Sequence, residues 1–175
     1  MDDTLTFVRA VVSTTAARWT TLAETLPADL LARKPAAGEW SAVECLQHMI
    51  DTEQAVFALR VQAFLDGRDF PGFDPDAQGT TGSVTRPAPT LAAEFALLRA
   101  GSLSLLATLK PSDLVRRARH EALGPVTLGE MLNEWAAHDL MHLVQAERAL
   151  MQPFIAGSGP WRSYFAEHVV VGKQS

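Results

Sequence analysis

The sequence predicts an all-α protein, a four-helix bundle with one long crossover connection and a short C-terminal helical tail. Three observations predict this fold. Four long segments carry apolar residues at steps of three and four, which is the spacing of one helix face. Alternation of β-branched residues is nearly absent, so no strand is predicted. A stretch rich in glycine and proline, residues 67–89, follows the second segment and is far longer than an ordinary helix–helix loop.

The first two predicted helices have clear starts or stops. The first spans Asp3 to Leu26, and Pro27 follows it as a helix breaker. The second begins at Ser41, which Glu44 follows three positions later, and it continues to about Leu65. This Ser–Glu spacing is a capping box, which satisfies free amide groups at a helix start. The apolar stripe of the first helix consists of Leu5, Val8, Val12, Ala16, Trp19, Leu22 and Leu26.

The second half of the chain contains the other two long helices. The third is predicted over Thr90–Leu109, and a short helical piece over Asp113–Arg119. The fourth is predicted over Thr127–Met151, because Thr127 and Glu130 form a second capping box and Pro153 follows its end. An up-down-down-up order fits four such helices with one crossover, but periodicity does not select among bundle topologies.

Length and composition limit the class of protein. The 175 residues fit one domain, with a core over about 3–152 and a tail over 153–175 that holds a short docked helix, Trp161–Val171. Fifteen basic and twenty acidic side chains give a net charge of −5, which argues against general nucleic-acid binding. With 47% hydrophobic and 20% charged residues, the chain is not of the disordered class.

Cysteine content and the N-terminus point to the cytoplasm. The single Cys45 rules out an intramolecular disulfide framework and fits a reducing compartment. The chain starts with Met-Asp-Asp, without the basic region of a signal peptide. No apolar run approaches the roughly 18 residues of a membrane span. We therefore expect a cytoplasmic protein with neither a membrane nor a nucleic acid as partner.

Two histidines on the fourth helix form the clearest chemical pattern. His138 and His142 are four residues apart, so their rings leave the same side of the helix about 6 Å apart. Neutral imidazoles can converge on one zinc, nickel, copper or iron ion, and a catalytic site of this type needs a third protein ligand. Among the three remaining histidines, His48 is the best candidate, since His120 falls in a predicted loop and His168 in the tail.

The residues alone leave a different interpretation open. An HxxxH pair often arises by chance, and such histidines can be core or surface residues. His48 points almost opposite the main apolar stripe of its helix and nearer a weaker one, so spacing does not settle its orientation. Asp139 lies within the apolar arc of the fourth helix and must find a partner there. The sequence contains no paired Glu-x-x-His units, HExxH, GxSxG or phosphate-binding glycine loop.

Two segments resemble the signatures of a known family. Residues 34–48, with the pattern KP…GEWSAVECLQH, resemble the first signature of the DinB-like superfamily of metal-binding four-helix bundles. Residues 127–142, with the pattern TL…AHDLMH, resemble the second. Their order and separation match the family over about residues 3–152, whereas the likeness does not reach 153–175.

The resemblance implies a site and an activity. By position, His48, His138 and His142 would bind a divalent transition metal, with zinc or nickel first and iron or copper as alternatives. The family is related to bacillithiol S-transferases and mycothiol-dependent maleylpyruvate isomerases. This implies a metal-dependent thiol S-transferase or hydrolase acting on a small-molecule substrate, with a low-molecular-weight thiol as cosubstrate. It also implies a homodimer. The alternative is a non-catalytic, stress-linked bundle whose metal site is structural or vestigial.

Two carboxylates are candidates for holding the ligand histidines in place. Asp139 cannot simply contact its neighbour His138, so we expect a partner across the bundle, such as His48, or a nearby backbone group. Asp51, one turn beyond His48, is the second candidate.

Overall fold

The computed structural model describes residues 3–74 and 84–172, and in this part of the chain six α-helices account for most of the structure. The helices are α1 (Thr4–Thr25), α2 (Ala28–Leu31), α3 (Ala42–Thr52), α4 (Ala58–Asp66), α5 (Ala88–Thr108) and α6 (Leu128–Gly157). A π-helical turn, Glu53–Phe57, joins α3 to α4, and together they form one rod.

Four rods form the bundle, and this confirms the predicted fold class. Both α1 and α3 pack against α5 and α6, so α1 and α3 occupy diagonal corners. One core cluster joins the start of α1 to the ends of α4 and α5 and the start of α6. The other joins the end of α1 to the starts of α3 and α5 and the end of α6. The order is therefore up-down-down-up, and the parallel α3–α4 and α5 require the long connection between them.

Both predicted capping boxes are present at the starts of the two helices that carry the histidine candidates. At α3, the Ser41 amide donates to Glu44 Oε2 at 2.7 Å, and Ser41 Oγ accepts from the Glu44 amide at 3.4 Å. At α6, the corresponding distances between Thr127 and Glu130 are 2.7 and 3.2 Å. These bonds fix where each helix begins and hence which way its side chains face.

The prediction of a helical piece over Asp113–Arg119, and of no strands, is wrong. Only a 3₁₀ turn, Pro111–Asp113, is helical, and strands β1 (Arg117–His120) and β2 (Gly124–Thr127) follow as an antiparallel hairpin. Four-residue strands are too short to show alternation in the sequence. Their stability comes from pairing, including hydrogen bonds that join Phe70 to the backbone of Arg119 and Glu121 at 3.1 and 3.2 Å.

The end of the chain also differs in detail from the prediction. The helix α6 continues through Pro153 to Gly157, where buried Ile155 packs. A 3₁₀ helix follows over Gly159–His168, and its range overlaps most of the tail helix predicted over Trp161–Val171. It docks on α6 through Gln152, whose side chain donates to the His168 carbonyl at 3.0 Å and accepts from the Val170 amide at 3.1 Å.

One helix of the described chain, α5, is long and apolar enough to cross a membrane by length and composition. The expectation that no segment meets those criteria therefore does not hold. Core helices of soluble proteins meet them as well. In this bundle α5 packs against α1 and α3, and its Arg99 is buried in the interior.

Candidate metal centre

The structure brings the three predicted histidines together. His48 lies on α3, and His138 and His142 lie on α6. Their potential ligand atoms all lie within 4.8 Å of one another. The Nε2 atoms of His48 and His138 are 3.1 Å apart. The ring of His142 is centred 4.5 Å from that of His48 and 4.4 Å from that of His138.

The ambiguous orientation of His48 has a simple cause in the packing of α3. This helix lies between α5 and α6, and nine of its eleven residues are buried. Because neighbouring helices cover α3 on more than one side, a polar side chain can leave its main apolar face and still be buried. His48 itself is only 4% exposed.

Aromatic side chains surround the histidines and hold their rings. Trp40, just before α3, stacks on His142 with ring centroids 5.9 Å apart and lies 5.0 Å from His48. Phe57, at the end of the π-helical turn, meets His138 edge-on at 5.0 Å and stacks on Trp135 at 4.8 Å. These rings restrict the imidazoles to a narrow range of positions and limit the access of water.

Hydrogen bonding assigns the ligand atom of one histidine. His142 Nδ1 lies 2.9 Å from Gln145 Oε1. An amide oxygen only accepts, so the ring donates from Nδ1 and leaves Nε2 free for a metal. Within residues 3–74 and 84–172, the buried Nδ1 atoms of His48 and His138 have no hydrogen-bond partner.

Burial keeps the three histidines neutral. It lowers the pKa of His48 to about 4, with a smaller contribution from His142. Burial, followed by the neighbouring His142 and His48, lowers the pKa of His138 to about 2. Burial also lowers the pKa of His142, although its bond to Gln145 and the charge of Asp139 oppose this. Neutral imidazole is the form that binds metal.

The donor set fits a divalent transition metal. Tetrahedral Zn–N bonds of about 2.0–2.1 Å place two ligand nitrogens about 3.3 Å apart. The 3.1 Å between the Nε2 atoms of His48 and His138 is close to that value. In the part of the chain that the structure describes, the cluster has three neutral nitrogens and no fourth donor, which is the pattern of catalytic rather than structural zinc sites.

The three histidines line one part of a cleft with a volume of about 680 Å³. Its walls are mostly apolar and come from α3, α4, α6, the hairpin and the segment after α4. Its charged and polar lining residues beyond the histidine cluster are Thr52, Arg60, His120, Glu130 and Glu134. A small molecule in this cleft would reach the ring nitrogens.

Comparison with known proteins agrees with the fold and the signatures. The family profile of the DinB superfamily matches residues 12–146, which is most of the chain. The chain belongs to the DinB superfamily. The matched range includes all three clustered histidines, which lie in the two segments that resemble the signatures of the family. A comparison with curated proteins finds no match.

A solved structure shows the same DinB-type fold. The chain is similar to YfiT from Bacillus subtilis, with a TM-score of 0.76, 17% sequence identity, and coverage of 88% of this chain and 89% of YfiT. YfiT is described as a probable metal-dependent hydrolase with an unusual four-helix bundle topology. At this identity the likeness shows the fold alone.

The DinB signature residue Asp139 has a different partner from the one we expected. Its carboxylate contacts Arg99 of α5, not His48, with Arg99 Nη2 donating to Oδ1 at 3.1 Å. Thr15 of α1 donates to its Oδ2 at 2.8 Å. Asp139 is fully buried, and these bonds explain how a carboxylate is tolerated in an apolar arc.

Asp51 is not brought to the histidines. Its carboxylate accepts from Gln47 at 2.9 Å, within α3. Burial raises its pKa, and the charge of Glu94 on α5 adds to that rise. The side chain therefore belongs to the α5 side of α3, whereas His48 belongs to the α6 side.

Sequence reasoning missed three charged residues of the cleft, Arg60, Glu130 and Glu134. Glu134 precedes His138 by one helical turn and continues the stripe of Glu130, His138 and His142 at steps of four. That spacing was a usable signal. No such signal exists for Arg60. The cleft is formed by α4 on one side and the hairpin on the other, and the hairpin was not predicted.

Proposed function

We propose that this DinB-superfamily protein binds a divalent transition metal through His48, His138 and His142 and catalyses a metal-dependent reaction of small molecules. The reaction is a thiol S-transfer, with a low-molecular-weight thiol as cosubstrate, or a hydrolysis. Zinc and nickel are the first candidates, and iron or copper the next. The observation that carries the proposal is the convergence of three neutral ring nitrogens within an accessible cleft.

The protein's own residues have separate roles in this proposal. A divalent ion held here would supply Lewis-acid chemistry, which lowers the pKa of a water or thiol. The three imidazoles donate from their ring nitrogens, and Gln145 keeps the proton of His142 on Nδ1. Trp40 and Phe57 pack beside the rings and hold them in place.

The thiol of such a transferase must come from a cosubstrate. The only cysteine, Cys45, is fully buried on α3, and burial raises its pKa to about 12. It stays protonated and inaccessible at neutral pH, so it is a core residue rather than a nucleophile. The hydrolase branch is supported by the structural likeness to YfiT, a probable metal-dependent hydrolase, and the thiol branch by the resemblance of the two signatures.

The alternative is a bundle whose metal is structural or vestigial. A structural site is typically closed by four protein ligands and lies away from cavities. Here, the described residues supply three clustered donors, and all three line the cleft. These features favour the catalytic proposal.

Metal analysis of untagged protein tests the proposal. Purified wild-type protein should contain about one transition-metal ion per chain by inductively coupled plasma mass spectrometry. His48→Ala, His138→Ala and His142→Ala should each lose most of it. His168→Ala, which changes an exposed histidine of the tail, is the matched control and should retain it. Full stoichiometry in His138→Ala would overturn the proposed site.

An activity screen follows from the same preparation. Metal-loaded protein is tested with small thiols against electrophiles, and separately with ester and amide substrates. Turnover should need the metal and disappear in His142→Ala. A fully loaded protein without turnover on any substrate class would favour the structural alternative.

A further inference from the structure

One arginine of the cleft, Arg60, makes no direct ion pair with any of the described residues. Arg60 of α4 is half-buried, and its guanidinium lies 5.2 Å from the centre of the Phe70 ring. Its Nη2 reaches the Pro71 carbonyl only at 3.4 Å. Among the described residues no carboxylate oxygen comes within 4.0 Å of it, unlike buried Arg99, which has two carboxylate partners. Glu134 acts on Arg60 electrostatically but does not contact it directly, so the guanidinium N–H groups remain available to an anionic ligand in an otherwise apolar cleft.

A second donor lies beside Arg60. The backbone amides of Ala122 and Leu123 donate to His120 Nδ1 at 3.1 and 3.3 Å. A ring nitrogen that accepts carries no proton, so the proton of His120 is on Nε2. His120 Nε2 lies 3.4 Å from Arg60 Nη2, and neither atom can accept from the other. Two N–H donors therefore meet in the cleft, and within residues 3–74 and 84–172 no acceptor lies between them.

We propose that Arg60 and His120 bind the carboxylate of an otherwise apolar substrate whose reacting group lies at the three histidines. The second half of this statement rests on the proposed function, whereas the carboxylate site itself does not. A carboxylate oxygen pair matches two adjacent donors. A monoanion suits the cleft better than a dianionic phosphate, because Glu130 and Glu134 also line it.

The position of the anchor sets the size of the substrate. Phe57 touches the ring of His138, and Arg60 follows Phe57 by three residues, which is about 4.5 Å along a helix. The carboxylate and the reacting group would thus lie roughly one helical turn apart, on the order of 5 Å. Between them the walls are apolar, with Val56, Phe57 and Met131 among the lining side chains. The substrate class is a short aliphatic or aromatic carboxylic acid.

Binding of a matched probe pair tests the anchor without any metal. The probes are 3-phenylpropanoate and 3-phenylpropan-1-ol, which differ only in the carboxylate, and binding to metal-free protein is followed by NMR titration. The acid should bind at least about tenfold more tightly, because hydrogen bonds to charged groups contribute that much. The His120 Nε2 proton should shift with the acid and not with the alcohol. Equal binding of the two probes by wild-type protein would overturn the proposal without any variant.

Variants test whether the preference for the acid depends on Arg60. Arg60→Gln should lose the preference for the acid while binding the alcohol as before, and Arg60→Lys should restore part of it. Arg18→Gln, at an exposed arginine of α1, is the control and should change neither. Glu134→Gln should tighten acid binding by a few-fold, since it removes a like charge from the cleft. An unchanged preference in folded Arg60→Gln, checked by circular dichroism, would contradict the assignment.

The two proposals fail separately. A preference for the acid in a protein that takes up no metal would overturn the proposed metal function and leave the anchor intact. A protein with one metal per chain and no preference for the acid would overturn only the anchor.

Discussion

Arg99 of α5 and Asp139 of α6 form an ion pair in the bundle interior, one residue along α6 from the predicted ligand His138. Arg99 also binds Glu53 of the π-helical turn with two bonds of 2.9 Å. From α1, the Thr15 hydroxyl accepts from Arg99 Nη1 at 2.9 Å. The network therefore joins all four rods at the level of the histidines and fixes the position of α6 against the others.

The charges of this network suit a nearby cation. Two carboxylates, Glu53 and Asp139, surround one guanidinium, so the network carries one net negative charge when both carboxylates are ionised. Burial raises the pKa of Glu53, although Arg99 opposes it. Neutral imidazoles add no charge, so a divalent ion at the histidines would be stabilised by this excess.

The first prediction concerns the Arg99–Asp139 pair. Asp139→Asn should destabilise the protein by about 3–5 kcal/mol, because removing one partner leaves the other charge buried without compensation. Urea unfolding of metal-free protein measures this change. The control is Arg18→Ala, which breaks an exposed pair with Glu147 and should cost no more than about 1 kcal/mol. A loss below 1 kcal/mol in Asp139→Asn would show that the network contributes little.

The second prediction concerns pH and Glu44, which caps the helix of His48. Burial raises the pKa of Glu44, but bonds from Lys34 and Ser41 outweigh it, so the net pKa lies below its usual value. A carboxylate with a lowered folded-state pKa stabilises the protein above its unfolded pKa, about 4.5, and loses that contribution as the pH falls through the folded value. Glu44→Gln should therefore be less stable than wild type by a constant amount at pH 6–8.

The measurement is the difference in unfolding free energy between the two proteins across pH. It should shrink as the pH falls below about 4.5. Glu24→Gln, at an exposed site of α1, serves as the control and should track wild type. A difference that stays constant down to pH 3 would contradict the role given to the carboxylate.

Much of this architecture follows from local sequence signals. The apolar stripe of α1 and the Ser41 and Thr127 caps predict where helices lie, since both depend on neighbours within a few residues. The spacing of His138 and His142 places two rings on one side of α6. These features need no knowledge of the rest of the chain.

The remaining features depend on packing between distant segments. His48 could be assigned as a metal ligand only by resemblance to the family. The helix α3 is covered on several sides, so the spacing of its apolar residues does not define a single inward face. The hairpin was missed because its strands have four residues each and exist through pairing. The partner of Asp139 could not be identified, since Arg99 is 40 residues away in sequence on another rod.

The third prediction separates a catalytic from a structural metal. The two apolar core clusters join all four rods through hydrophobic contacts, so metal-free protein should stay folded with its helical circular dichroism. Zinc at about 100 times its dissociation constant should add about 2.7 kcal/mol, which raises the Tm of a domain of this size by about 5–10 °C. His142→Ala should show no such rise, whereas His168→Ala should match wild type. Metal-free protein that is unfolded would instead indicate a structural ion.

The fourth prediction concerns Gln145, which accepts from His142 Nδ1. Without this acceptor the ring is free to carry its proton on Nε2, where it competes with metal, and its orientation is less restricted. Gln145→Leu should weaken zinc binding by about 10- to 100-fold in competition with a fluorescent chelator. Gln145→Glu keeps an acceptor and should retain affinity. Gln62→Leu, at an exposed site of α4, is the control. Wild-type affinity in Gln145→Leu would mean that Trp40 stacking alone orients His142, since that contact survives the substitution.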